Sequence, residues 1–294
     1  MAISSPRKAV DELLEKYGIP SWATPYIYSY IRGNPIQAIK HAASFVEIKR
    51  KKGEVTNSHV RLPNGMKFDI KFVMHLLDMF YYGEEEISKI YLEWSSDRLG
   101  ADALKYAPHF AELSGVSQGH ARAVRNLIEG LGNKLSDPSK EVKDVFSFIR
   151  GIKDWKQRVV VSGLVMRKTY GIPFGYVFYK VFYPVAPEFM RSFGKVFEKT
   201  SEIVSWGEAE SSSIISSKSV DEAALLAITE RVLAYIYRSI RAELPYAKKQ
   251  GIEPEGKLLL ELAIAYPLHA MQELGMSIDI DAEIDAIKKL SKEL

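Results

Sequence analysis

The chain has no cysteine among its 294 residues. Without thiols it forms no disulfide bonds, and it lacks the usual ligands of zinc ribbons and iron–sulfur clusters. Thiol nucleophiles are excluded for the same reason. The small disulfide-stabilised folds are therefore ruled out, and the chain must be held together by a hydrophobic core.

Long apolar runs are also missing. The most apolar stretch, residues 159–185, is interrupted by charges such as Arg167 and Lys168 and by Pro173. A membrane-spanning helix needs about 20 mostly apolar residues. Residues 1–10 carry Arg7 but no apolar segment behind it, which is unlike a secretory signal. We therefore expect a soluble, cytoplasmic protein with no membrane partner.

The net charge of the chain excludes few classes of protein or partner. The 40 basic residues exceed the 37 acidic ones, giving a net charge of +3, which permits a polyanionic partner without requiring one. A hydrophobic content of 47% and a charged content of 26% are ordinary for a globular protein. The frequent Lys, Glu, Ile and Tyr residues, together with the missing cysteine, are typical of a thermophile protein.

Motifs of the common cofactor sites are absent from the sequence. It contains no P-loop and no glycine-rich dinucleotide fingerprint after a strand. The histidines His41, His59, His75 and His109 show no spacing typical of metal ligands. We therefore predict no cofactor, no metal and no catalytic residue, and we do not favour an enzyme.

The hydrophobic periodicity is mainly helical. One strand signal stands out near 59–70, where extended runs flank Pro63-Asn64-Gly65, a sequence typical of a hairpin turn. Helices are predicted near 72–82, 84–98, 101–114, 117–131, 140–170, 174–183, 187–206, 219–243, 255–274 and 281–293. The expected fold is a mainly α, multi-helix globular protein with one small β-hairpin.

Composition suggests three parts of the chain. Residues 1–71 would hold N-terminal helices and the hairpin, and residues 72–207 a central helical domain. The serine-rich tract Glu208–Ser219 is typical of a linker, so residues 208–294 would form a C-terminal group of helices after it.

The most informative segment is Ala107–Asn126. It resembles a helix-turn-helix of the bacterial and archaeal repressor type. The small residue inside the first helix is Ala111, and Gly115 would open the turn because glycine adopts a left-handed conformation at no steric cost. An apolar residue, Val116, follows, and Ser117 would cap the second helix.

This resemblance implies DNA binding and a role as a transcriptional regulator. Gln118, Arg122 and Arg125 would project from the second helix to bases and phosphates in a major groove. Ser117 would cap that helix and donate to a phosphate. DNA is therefore the expected partner.

The same residues also resemble a helix-hairpin-helix, which holds a phosphate on backbone N–H groups without reading bases. Leu113, Gly115, Val116 and Ala121 match its pattern, whereas Ser117 replaces the second glycine. Ala121 departs from the repressor motif too, which usually carries a β-branched residue there. An ordinary corner between two helices, with a solvated arginine face, is a third interpretation of this segment.

Two basic features could support nucleic-acid binding elsewhere in the chain. The run Lys49–Lys52 precedes the predicted hairpin, and Arg61 and Lys67 lie on its strands. Together they could form a basic ribbon that contacts a phosphate backbone. The run could equally be a solvated helix end, where cations complement the helix dipole.

A ferritin-like helical bundle, with or without two irons, is the alternative function class. Such bundles need Glu-x-x-His pairs on two helices. Glu86 and His120 have a suitable separation, but Ser117 stands three residues before His120 and Tyr266 three before His269. Neither of these two positions therefore holds the carboxylate that a di-iron site needs.

A structural or interaction protein is the remaining alternative. Aromatic residues are dense between 170 and 183, which favours a core or an oligomer contact over a stacking surface for nucleic acid. We therefore expect a homo-oligomer. The aromatic residues are Tyr170, Phe174, Tyr176, Phe178, Tyr179, Phe182 and Tyr183.

Overall fold

The computed structural model describes residues 54–55, 59–61, 67–130, 135–170, 206–251 and 253–294. Within these ranges the protein is mainly helical, which confirms the mainly α part of the predicted fold. The basic run Lys49–Lys52, the aromatic stretch beyond Tyr170 and the helix predicted near 174–183 lie outside the described residues.

Three short strands come before the helices. They are β1 Glu54–Val55, β2 His59–Arg61 and β3 Lys67–Asp69. The sheet is antiparallel in the order β1-β2-β3, with Phe68 opposite Val60 and Lys67 opposite Arg61. Residues 62–66, which contain the Asn-Gly turn, lie outside the described residues, so the hairpin near 59–70 stays a prediction.

Eight helices follow in the described ranges. They are α1 Ile70–Ser96, α2 Ala103–Gly130, α3 Lys140–Arg150, α4 Trp155–Val160, α5 at 206–216, α6 Glu222–Lys249, α7 Glu253–Glu273 and α8 Ile280–Glu293. Helix α4 continues through a π-helical turn, Val161–Met166, into residues 167–170. None of the helices in these ranges is long and apolar enough to cross a membrane.

Two pairs of predicted helices are in fact single helices. The sequence places breaks near Gly83 and Gly115, but α1 and α2 run through both positions. A glycine inside a helix costs only about 1 kcal/mol relative to alanine. Helices α1 and α2 pack along each other, and at their centre the Ser88 and Ser114 hydroxyls lie 3.2 Å apart. This long packing surface outweighs the intrinsic preference of glycine for a break.

The core begins with aromatic side chains between α1, α2 and α4. The Phe110 ring packs edge-on against Trp94 with centroids 5.1 Å apart, and it also contacts Tyr91 and Trp155. Burial of such rings is the main stabilising contribution in a core of this kind. The same buried cluster continues into α3, α6, α7 and α8.

Most of the serine-rich tract lies in a helix with one buried side. Residues 206–216 form α5, whose Ile214 and Ile215 are buried in the core. The Ser211 hydroxyl is also buried, and it donates to the backbone carbonyls of Gly207 at 2.6 Å and Val159 at 3.1 Å. Serine side chains bonded in this way fit a helix that packs closely on its neighbour. The core thus crosses the predicted boundary at 207, and the three-domain division stays a prediction.

Candidate nucleic-acid interface

The segment that resembles a helix-turn-helix has a different conformation. Residues 107–126 lie entirely within α2, and the helix continues through Gly115 without a turn. Ser114 donates a hydrogen bond to the Ser88 carbonyl at 2.9 Å, and Val116 is buried, so both sides of the expected turn are packed in the protein. The helix-turn-helix conformation is therefore wrong, and the helix-hairpin-helix conformation is wrong for the same reason.

Ser117 does not act as a helix cap. It lies in the middle of α2 and is only 7% exposed. A helix cap must precede the first turn, where backbone N–H groups have no partner. The cap role is therefore wrong, and the buried hydroxyl does not lie on the surface that a phosphate would approach.

The other three predicted contacts share one exposed face of α2. Gln118, Arg122 and Arg125 follow one another at spacings of four and three residues, which places them on the same side of a helix. The Arg125 Nε donates to the Glu129 carboxylate at 2.8 Å. The negative charge of Glu85 also attracts the Arg125 guanidinium. The face therefore carries charges of both signs, which weakens its attraction for a polyanion.

A more strongly basic surface lies on α6. Its cations are Arg231, Arg238, Arg241, Lys248 and Lys249. At about 100° per residue, all five fall within an arc of about 100° around the helix. We call this surface the α6 basic face. The sequence signal for this face is the helical spacing of its cations, which is neither a known motif nor one run of adjacent charges.

The one carboxylate of this part of α6 lies outside that arc. Between Arg231 and Lys249 the sequence contains only Glu243 as an acidic residue. Its Oε2 atom lies 2.5 Å from His75 Nε2 on α1. This hydrogen bond raises the pKa of His75, although partial burial opposes it. Glu243 is thus engaged by an imidazole, and it detracts little from the positive charge of the α6 basic face.

Two of the cations are also held by neighbours. Arg238 donates to the Asp144 carboxylate of α3 at 2.8 Å. The Arg231 guanidinium lies 5.0 Å from the centre of the Phe148 ring, which in turn stacks on Tyr235. Arg241, Lys248 and Lys249 are exposed, and in the part of the chain that the structure describes none of them forms an ion pair.

A further basic residue lies near the C-terminal end of α6. The Asp69 backbone N–H donates to the Gln250 Oε1 atom at 2.8 Å, which joins the start of α1 to the end of α6. Lys71, the second residue of α1, is exposed. Lys71 therefore extends the positive charge of the α6 basic face at this end of the molecule.

His120 and Glu86, the two residues considered for a di-iron site, have other partners in the structure. His120 is buried, and its Nδ1 atom lies 3.2 Å from the Glu84 carboxylate. Glu86 instead accepts hydrogen bonds from Lys89 and Arg150. Within the described ranges, no three potential ligands among histidine, aspartate and glutamate come together to hold a metal ion.

The comparisons with known proteins give no guide to this surface. Neither family models, curated proteins nor solved structures match this chain.

Proposed function

We propose that the protein binds DNA through the α6 basic face. The observation that supports this is the placement of five cations on one side of a single helix, with Glu243, the one carboxylate between Arg231 and Lys249, bonded to His75. The face extends over about 27 Å from Arg231 to Lys249, at 1.5 Å per residue. A duplex carries one charge per about 1.7 Å of its axis, so several phosphates fall within this length.

Such contacts would bind the phosphate backbone without reading the base sequence. Each cation that neutralises a phosphate releases a counterion, which makes the affinity fall as salt rises. If the four cations other than Arg238 act in this way, the slope of log K against log salt is about −3.6. Affinity would then fall about 150-fold between 50 and 200 mM salt.

A salt titration of binding to a labelled DNA duplex tests this proposal. The double variant Arg241→Ala/Lys248→Ala removes two exposed cations from the α6 basic face. We expect weaker binding and a slope reduced in magnitude by about 1.8. Fluorescence anisotropy measures both quantities.

The matched control is Arg122→Ala/Arg125→Ala on α2. It removes the same amount of charge from the face that the sequence predicts, so it separates a local effect from the loss of net charge. We expect its affinity and salt slope to match those of the parent. Absence of binding to both duplex and single-stranded DNA at low salt would overturn the proposal, and so would a loss of binding confined to the α2 variant.

A further inference from the structure

Tyr246 stands at the edge of the α6 basic face. It is 44% exposed, whereas the other large exposed apolar side chains in the described ranges are leucines. Its ring stacks on the His75 imidazole, with centroids 4.8 Å apart and an angle of 25° between the planes. The Lys249 ammonium lies 5.5 Å from the ring centre. An exposed aromatic ring therefore sits directly beside cations.

The orientation of this ring is fixed by its neighbours. His75 lies under the tyrosine, and its own Nε2 atom is bonded to Glu243, one turn before Tyr246 on α6. The imidazole is thus held from two sides, and the tyrosine ring rests on it. A ring that is already oriented loses little conformational entropy when a planar ligand stacks on it.

The surrounding cations could hold the phosphates next to such a ligand. Lys248 and Lys249 follow Tyr246 in sequence, and both are exposed. Lys71 is exposed on α1, one turn before His75. The lysine stems are long and flexible, so Lys249 can swing from the ring to an adjacent phosphate. An aromatic surface combined with cations is the chemistry that binds unpaired nucleotides.

We propose that an unpaired base stacks on Tyr246, so that the site takes single-stranded nucleic acid in preference to duplex. This inference rests on the proposed function of the α6 basic face. Within a duplex both faces of each internal base are covered by its neighbours, so no internal base can stack on an external ring. Charge alone would favour the duplex, because its phosphates are denser and its salt slope is steeper. A preference for single strands therefore requires a contact with the bases.

Competition between a labelled DNA single strand and a duplex of the same length tests the inference. Stacking on an aromatic side chain is worth enough that Tyr246→Ala should weaken single-strand binding by about 5- to 150-fold. Duplex binding should change by less than about twofold, since the phosphate contacts remain. Tyr246→Phe keeps the ring, and it should retain the affinity of the parent for the single strand.

The outcomes separate this inference from the proposed function. Equal losses for single strand and duplex in Tyr246→Ala would overturn the stacking, and so would tighter binding of the duplex by the parent protein. In both cases salt-dependent binding persists, and the proposed function stands. If neither form of DNA binds at low salt, the proposed function itself fails. Thermal melting of each variant establishes that the fold is intact.

Discussion

Gly163 in the π-helical turn packs directly against the backbone of Gly207 in α5, so that a Cβ atom on Gly163 would overlap the Gly207 carbonyl group. One helical turn further along α5, the Ser211 hydroxyl donates to the carbonyl of Val159. A π-helical turn interrupts the regular α-helical hydrogen bonds. The small residues of α5 therefore allow the close approach, and Ser211 provides a hydrogen bond to the altered backbone.

Gly163→Ala should destabilise the protein, because the added methyl group cannot fit without moving α5 away. Overpacking of this kind costs about 1–3 kcal/mol. Urea unfolding followed by circular dichroism measures the change in the free energy of unfolding. An unchanged midpoint would show that the two helices do not approach each other at this position.

Gly115→Ala tests whether α2 is continuous. No atom beyond the helix's own backbone lies within 4 Å of the position a Cβ would take on Gly115. In a continuous helix the change to alanine should stabilise the protein by about 1 kcal/mol. In the turn of a helix-turn-helix, glycine would have a left-handed conformation, and alanine would destabilise it. The sign of the change in unfolding free energy therefore distinguishes the two conformations.

The sequence predicts the helical class of the fold because apolar residues recur at helical spacing over most of the chain. It does not predict the continuity of α1 and α2, since the cost of Gly83 and Gly115 is local and the packing that outweighs it is not. It also misassigns α5. A serine tract favours a linker by composition, whereas Ser211 bonds to carbonyl groups and permits close packing on Gly163.

The candidate site, like the fold, has one part that the sequence predicts and one part that it does not. The spacing of the cations between Arg231 and Lys249 is a property of the sequence and could be recognised on a helical wheel. The position of His75 beneath Tyr246 could not, because His75 and Glu243 are 168 residues apart in the chain. Contacts between residues so far apart in sequence depend on how α1 and α6 pack against each other.

Arg158 is a buried cation whose replacement should be costly. Its Nε atom donates to the Ile152 carbonyl at 2.9 Å, and its guanidinium bonds to Asp97 at 2.8 Å. The guanidinium also lies over the rings of Trp94 and Trp155, at 5.3 and 4.5 Å. Arg158→Met should therefore lower the free energy of unfolding by about 2–4 kcal/mol, because several contacts are lost together.

Arg150 provides the matched control for that variant. It also pairs with carboxylates, those of Glu86 and Glu93, but its side chain is 37% exposed. Exposed ion pairs are worth about 1 kcal/mol or less. Arg150→Met should accordingly cost less than Arg158→Met in the same urea titration. Equal costs would contradict the role of burial and ring stacking at Arg158.

The contact between Glu230 of α6 and Glu283 of α8 should make stability depend on pH. Partial burial and the hydrogen bond with Glu283 raise the pKa of Glu230 to about 7. The folded protein thus holds a proton that the unfolded chain, with its ordinary glutamate pKa near 4.5, gives up more readily. The stabilising contribution is complete below pH 4.5 and is lost as pH rises towards about 7.

Glu230→Gln should remove this part of the pH dependence, so the variant should gain stability over the parent between these two values. Urea midpoints of both proteins across this range measure the difference, and parallel curves would contradict the raised pKa.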